Sequence, residues 1–279
     1  MVILALAGNA VAADIVVPVF AYDVPGHSKN LWTTELYLSN PTGEEILVSP
    51  PVVLEGILEI PEPCYPPVRP KVVPPHASVV WTADEIAIEL GCATKILGAL
   101  LLAADGPVVV DSRMVNVSGT YEVGELPDLE IPEVVLSGFS QQMPGTPVPD
   151  LPEAGTELML PSLYWHPNPC GSVAFDTNVG LVNPSEVPMR VTFDLPEGLR
   201  EAGMRIGGTL VPLPYTMTLP PRSWQQLHVA PPPGDLTVCL EPQRFDLHLV
   251  ADGPLAAYAS VVDRSTQDPR TVFPVPLQP

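Results

Sequence analysis

"LLLAADGPVVVDSRMV", Leu100 to Val115, and "LHLVADGPLAAYASVV", Leu247 to Val262, carry the same Ala-Asp-Gly-Pro punctuation between two apolar runs. Short apolar runs bounded by turn residues read as buried strands. Asp-Gly-Pro is turn chemistry, because Asp and Gly tolerate unusual backbone angles and the Pro stiffens the exit. The expectation is a hairpin in the core of a β-sandwich, written twice. At the same spacing of 147 residues Cys92 meets Cys239. Upstream, "VVPPHASVVW" (Val72 to Trp81) faces "TLPPRSWQQL" (Thr218 to Leu227) at a spacing of 146. Earlier still, Thr34, Leu38, Asn40 and Pro41 recur as Thr177, Leu181, Asn183 and Pro184 at 143, and Pro18 falls on Pro161. Anchors that keep their order while the spacing drifts by four residues read as one domain duplicated, with small loop insertions.

The copies set the expected boundaries. Residues 14–135 form a first β-sandwich domain and 158–279 a second, with 136–157, "LSGFSQQMPGTPVPDLPEAGTE", as a Pro/Gly-rich linker. Both copies are antiparallel β in expectation. Trp32, Thr34, Leu36 and Leu38 share one face at period two, as do Phe175, Thr177, Val179 and Leu181, and Asn-Pro ends each strand. One helix is expected, in "TADEIAIELG", with Thr82 as N-cap, Glu85 in capping-box position and Gly91 as the stop. The second copy has "HVAPPPGD" there, which cannot be helical. Residues 1–13 read as a signal remnant or an apolar N-terminal strand. The run Val2 to Ala7 precedes Ala10-Val11-Ala12 in cleavage-site form, without a positive n-region.

Composition narrows the function. The chain has 279 residues, enough for two domains, and its 46% apolar content can fill two cores. Its 38 prolines disfavour long helices. With 32 acids against 12 bases the net charge is -20, which repels nucleic-acid phosphates and anionic lipid. The first copy carries -13 of that charge and the second only -4. No stretch has the roughly 18 uninterrupted apolar residues of a membrane span.

Two cysteines per copy suit an oxidising compartment. The expected pairs are Cys64–Cys92 and Cys170–Cys239, each tying a different loop to the same strand region; four free buried thiols are the alternative. Zinc fits less well, for want of Cys-x2-Cys or paired Cys/His spacing.

The order of these elements resembles a repeat module of secreted multidomain bacterial proteins. Its pattern is a "W-x-T-x-L-x-L-x-N-P" strand, a Pro-Pro turn, a short helix and "A-x-G-P-V-x-x-x-S-R" leading to a Gly-rich hairpin. The first copy is similar through "WTTELYLSNP", "VPPHASVVW", "TADEIAIELG" and "ADGPVVVDSRMVNVSGTY". The second keeps "TNVGLVNP", "LPPRS" and "ADGP". The resemblance implies tandem Ig-like β-sandwiches outside the cytoplasm, and it implies no activity.

Catalytic constellations are thin. His27, His76, His166, His228 and His248 form no His-x-x-x-His pair, and no G-x-S-x-G or phosphate-binding glycine loop occurs. Asp84 and Glu85 are explained by the helix N-terminus. Asp111 and Arg113 flank Ser112, where they can pair across the strand. "YEVGELPDLEIPE" gathers Glu122, Glu125, Asp128, Glu130 and Glu133, a solvated edge or a weak cation site, without the Asp-x-Asp-x-Asp-Gly order of a calcium loop. Tyr164, Trp165 and His166 are the best candidate for binding, as sugar-stacking aromatics before a loop anchored by Cys170. The expectation is an exported, non-catalytic structural or adhesive protein at the cell surface, without a cofactor. Its partners are proteins, copies of itself among them; a carbohydrate-binding module is the alternative.

Overall fold

The structure, a computed structural model, describes residues 13–25, 31–60, 64, 69–117, 140–165, 175–197, 203–230, 243–263 and 269–277. In the first half β1 (Ala13–Tyr22), β2 (Val24–Pro25), β3 (Leu31–Ser39), β4 (Ile46–Val48), β5 (Val52–Glu59), β6 (Lys71–Val73) and β7 (Ser78–Trp81) precede helix α1 (Ala83–Glu89). Then come β8 (Lys95–Ala104), β9 (Val109–Val117), β10 (Ser140–Pro144) and β11 (Thr146–Pro147). A 3-10 turn, Val148–Asp150, leads to the second half. That half holds β12 (Glu157–Trp165), β13 (Phe175–Asn183), β14 (Met189–Asp194), β15 (Met204–Ile206), β16 (Thr209–Val211), β17 (Tyr215–Leu219) and β18 (Ser223–Ala230). It ends with β19 (Gln243–Ala251), β20 (Ala256–Asp263), β21 (Pro269–Val272) and β22 (Val275–Pro276).

The fold is all-β and layered; its strand pairs are antiparallel except β5 with β18, which meet in parallel at Glu55 and Ser223 and join the two halves edge to edge. In the first half the run β11-β1-β8-β5, with β4 and β6 alongside, lies over β10-β9-β3-β2 with β7. Phe20, Leu36, Leu38, Trp81, Leu100 and Leu102 fill the space between. In the second half β22-β12-β19-β14-β17 lies over β21-β20-β13-β18, around Leu160, Leu181, Phe193, Leu247 and Leu249. The central pairings correspond. β1 pairs β8 as β12 pairs β19; β3 lies between β7 and β9 as β13 lies between β18 and β20. Each entry strand carries a register shift at its proline, between Val17 and Phe20 and between Leu160 and Leu163. A residue without an N–H belongs where the ladder is interrupted.

Buried polar side chains repeat as well. Asn40 donates from Nδ2 to the Glu44 and Val73 carbonyls, at 2.7 and 3.0 Å, and accepts at Oδ1 from the Thr42 N–H at 2.8 Å. Asn183 donates to the Val187 and Pro220 carbonyls, both at 2.8 Å, and accepts from the Ser185 N–H at 3.0 Å. Both Asn-Pro signals are therefore side-chain-organised turns that stop a strand.

The Ala-Asp-Gly-Pro turn departs from the expected hairpin. β8 and β9 do not pair with each other: β8 pairs β1 and β5, whereas β9 pairs β3 and β10. The turn is an arch that carries the chain from one sheet to the other, and β19 and β20 repeat it. The Asp105 Oδ1 accepts from the Leu47 N–H at 2.8 Å, and the Asp252 Oδ1 accepts from the Arg190 N–H at 2.7 Å. The aspartate thus ties the arch to the neighbouring strand. Gly106 passes so close to Ile46 that a Cβ there would lie 3.0 Å from its Cγ1; the same atom on Gly253 would lie 3.2 Å from Met189 Cε. Two apolar runs around a tight turn look alike whether the turn closes a hairpin or an arch.

The stretch read as a linker is also different. Within 136–157, β10 pairs β9 and β11 pairs β1, so residues to Pro147 complete the first sandwich, as β21 and β22 complete the second. Prolines at 144 and 147 sit in edge strands, where a missing N–H is tolerated.

A third core joins the halves. Val16, Val19, Leu54, Ala99 and Leu101, on the outer face of the β1-β8-β5 sheet, pack against Val182, Trp224, Ala256 and Tyr258 on the outer face of β13-β18-β20. β8 is thus apolar on both faces, which is why "ALLLA" is continuous rather than alternating. Each aliphatic chain fully buried there contributes about 1.5–3 kcal/mol, enough to hold the two sandwiches as one body.

Helix α1 forms as its sequence predicts. The Thr82 Oγ1 accepts from the Glu85 N–H while Glu85 Oε2 accepts from the Thr82 N–H, and Gly91 follows with φ of 87°. Burial alone would raise the Glu85 pKa, but Lys71 Nζ at 2.8 Å and the Thr82 N–H hold it below its ordinary 4.5. Hydrogen bonds from Arg190, the largest cause, likewise hold Asp252 below 3.8. Depressed carboxylates contribute stability that is complete above those ordinary values and disappears as pH falls through the lowered folded ones. Denaturant midpoints should therefore drop as pH falls below about 4.5, and the drop should shrink in Glu85→Gln. An equal drop in the variant removes Glu85 from the account.

Candidate binding faces

Among the described residues, heterologous docking between the halves leaves two outer sheet faces open. Counterparts follow from the registers. In the first half Tyr37 opposes Asp111, Ser39 opposes Val109 and Glu35 opposes Arg113. In the second half the same places hold Gly180 opposite Tyr258, Val182 opposite Ala256 and Asn178 opposite Ser260. The first-half face is thus the polar twin of the apolar face that docks in the second.

That first face is concave. A hollow of about 780 Å³ is lined by Tyr37, Ser39, Val109, Asp111, Arg113, Ser140 and Gln142, from β3, β9 and β10. The Tyr37 hydroxyl donates to Glu35 Oε2 at 2.8 Å, which is the largest cause raising its pKa; burial adds to the rise and Arg113 opposes it. Gln142 Nε2 donates to Asp111 Oδ2 at 3.3 Å, so Asp111 is held from β10 rather than paired with Arg113. Ser112, between them, points inward and donates to the Met143 carbonyl at 2.7 Å. Val109 is 61% exposed at the end of the face where β9 begins.

The second face lies on β12 and β19, as the twin of the first half's docking face. Met159 opposite His248 stands where Val16 opposite Leu101 stands in the first half, and Tyr164 opposite Arg244 stands for Ala21 opposite Leu97. His248 Nδ1 lies 2.9 Å from Glu157 Oε1. Ser162, with φ of 58°, lies within the register shift. Its N–H donates to Asp246 Oδ1 at 2.7 Å, its Oγ accepts from Arg244 at 2.5 Å, and its carbonyl accepts from Arg270. Arg270 also lies over the Tyr164 ring, 5.5 Å from its centroid, and Phe175 packs beside it at 5.7 Å. A sugar stacking on Tyr164 would meet Arg270 on that side.

Of the other expected site residues, Trp165 ends β12, and His166, Cys170, Cys239, Glu122, Glu125 and Asp128 lie outside the described residues. Cys64 is disulfide-bonded to Cys92, 28 positions on in the sequence, with Cα atoms 5.6 Å apart. The bridge fastens the chain after β5 to the end of α1. By the chain-entropy argument it stabilises by about 3.5 kcal/mol. Reduction should lower the melting temperature by several degrees, and an unchanged transition in reductant contradicts that value.

Among the described residues, no three His, Cys, Asp or Glu side chains gather as metal ligands, and no helix is long and apolar enough to cross a membrane. Gln142, Arg244 and Arg270 carry these faces and escaped the sequence reading, because no local motif links strands so far apart in the chain. Compared with known proteins, the chain matches no family model, no curated protein and no solved structure.

Proposed function

We propose that the chain is an exported, non-catalytic structural or adhesive protein that acts through protein–protein contacts at the cell surface. The observation that supports this most is the sheet-to-sheet contact between its halves, paired with open twins of both docking faces. Those faces mix polar and charged side chains with apolar ones, Asp111 and Arg113 beside Val109 and Arg244 and Asp246 beside Met159, which is the composition of a non-obligate protein interface. The disulfide and the apolar N-terminal stretch fit an oxidising exterior, and the order of elements resembles tandem modules of secreted bacterial proteins. The test uses material from the native source: cross-linking on intact cells, with intact mass and N-terminal sequence. Cross-linked protein adducts on the outer surface are the expected result. A cytoplasmic protein that yields no adduct overturns the proposal.

A further inference from the structure

We propose that the two open faces dock on each other between copies, so that the chain assembles head to tail in the sense in which its own halves dock. The proposal rests on the protein-contact reading above and names the partner as a second copy.

The docking within the chain supplies the geometry. The outer face of the β1-β8-β5 sheet meets the outer face of β13-β18-β20, two different surfaces of similarly paired sandwiches. A contact between unlike surfaces leaves one partner surface free at each end, and repetition gives rings or open filaments. The free surfaces here are the β3-β9-β10 face and the β12-β19 face.

Their chemistry matches. The first carries Asp111 and Arg113, two residues apart on β9, and the second carries Arg244 and Asp246, two residues apart on β19. Each face therefore offers a carboxylate and a guanidinium at the same strand spacing, and the two can pair reciprocally. Val109 stands exposed where its twin Ala256 is buried in the third core, and Met159 stands where Val16 is buried. Both faces are more polar than their intrachain twins, which suits a contact made between folded molecules rather than during folding. The imbalance of charge between the halves, -13 against -4, also favours first half against second over first against first.

The test separates heterologous docking from every other association. Asp111→Arg alters only the first face, and Arg244→Glu only the second; Val109→Asp is a second first-face variant at an exposed site. Each is checked for an unchanged melting transition, then sized by light scattering across a concentration series beside the unaltered protein. The expected result is concentration-dependent oligomers of the unaltered protein, with association weakened at least about tenfold in each variant by like-charge contact. Mixed one to one, Val109→Asp and Arg244→Glu should form a pair and stop there, because each retains the one intact face the other needs while their two altered faces set carboxylate against carboxylate. Oligomers that survive in all three variants overturn the proposal while leaving a protein-contact function intact. Variants that are monomeric alone and in the mixture overturn the head-to-tail geometry. An unaltered protein that stays monomeric at every concentration also overturns it, and cross-linking of native material then decides the broader reading separately.

Discussion

Gly180→Ala is expected to be among the most damaging single substitutions in the protein, at about 4 kcal/mol or more. A Cβ at this position would lie 1.9 Å from Cε1 of Tyr258 and 2.1 Å from its Cζ. The ring lies across the glycine from the neighbouring strand, and Tyr258 is fully buried in the core between the halves. It has no room to retreat, because Val182, Trp224 and the outer face of the β1-β8 sheet surround it. Removing the ring by Tyr258→Ala should itself cost about 3–5 kcal/mol, and in that background Gly180→Ala should cost far less. Equal costs in the two backgrounds, read from denaturant unfolding, would show that the clash is not the mechanism. Tyr258→Phe should behave oppositely. The Tyr258 hydroxyl and Trp224 Nε1 are buried without a hydrogen-bond partner among the described residues. Burial raises the phenol pKa far above its ordinary value, against the pull of Trp224 and Gln226, which lie near the hydroxyl without meeting hydrogen-bond geometry. Deleting an unsatisfied hydroxyl should leave stability unchanged or raise it by about 1 kcal/mol.

Asn183→Ala should cost about 3 kcal/mol, and Asn40→Ala a similar amount. Each side chain is buried and joins two carbonyls to one N–H across the end of a strand. Truncation leaves those backbone groups unpartnered, at about 1–3 kcal/mol for each that stays dry. Aspartate is the sharper probe, since it keeps the shape but turns an acceptor toward the Val187 and Pro220 carbonyls. Asn183→Asp should be no more stable than Asn183→Ala. An aspartate that retains full stability would mean the amide donor is dispensable.

These positions mark what the sequence makes legible. The Thr82–Glu85 cap and the turns after Asn40 and Asn183 act through neighbours three or four residues away, and pattern finds them; Asp105 and Asp252 repeat in the sequence, but their partners Leu47 and Arg190 lie 58 and 62 residues away. The strands were legible from period two in β3 and β13. Choice of partner was not, because Leu100 to Ala104 is apolar on both faces and carries no alternation to say which sheet lies on which side. The arch was missed for the same reason, and the strands at 140–147 were masked by prolines that suit an edge as well as a linker. The binding faces were half legible: Tyr164, Asp111 and Arg113 drew notice, but their grouping with Arg244, Arg270, Tyr37 and Gln142 depends on which strands are neighbours.

The third core also sets a timetable for synthesis. Val16, Val19, Ala99 and Leu101 are made early, and the first sandwich can close once Pro147 has emerged. The ring that covers them belongs to residue 258, more than a hundred residues later. At 5–20 residues per second, the finished first sandwich stands for roughly ten seconds with a greasy sheet face bare to solvent. A chaperone that recognised that face would have this interval, and no longer, in which to act.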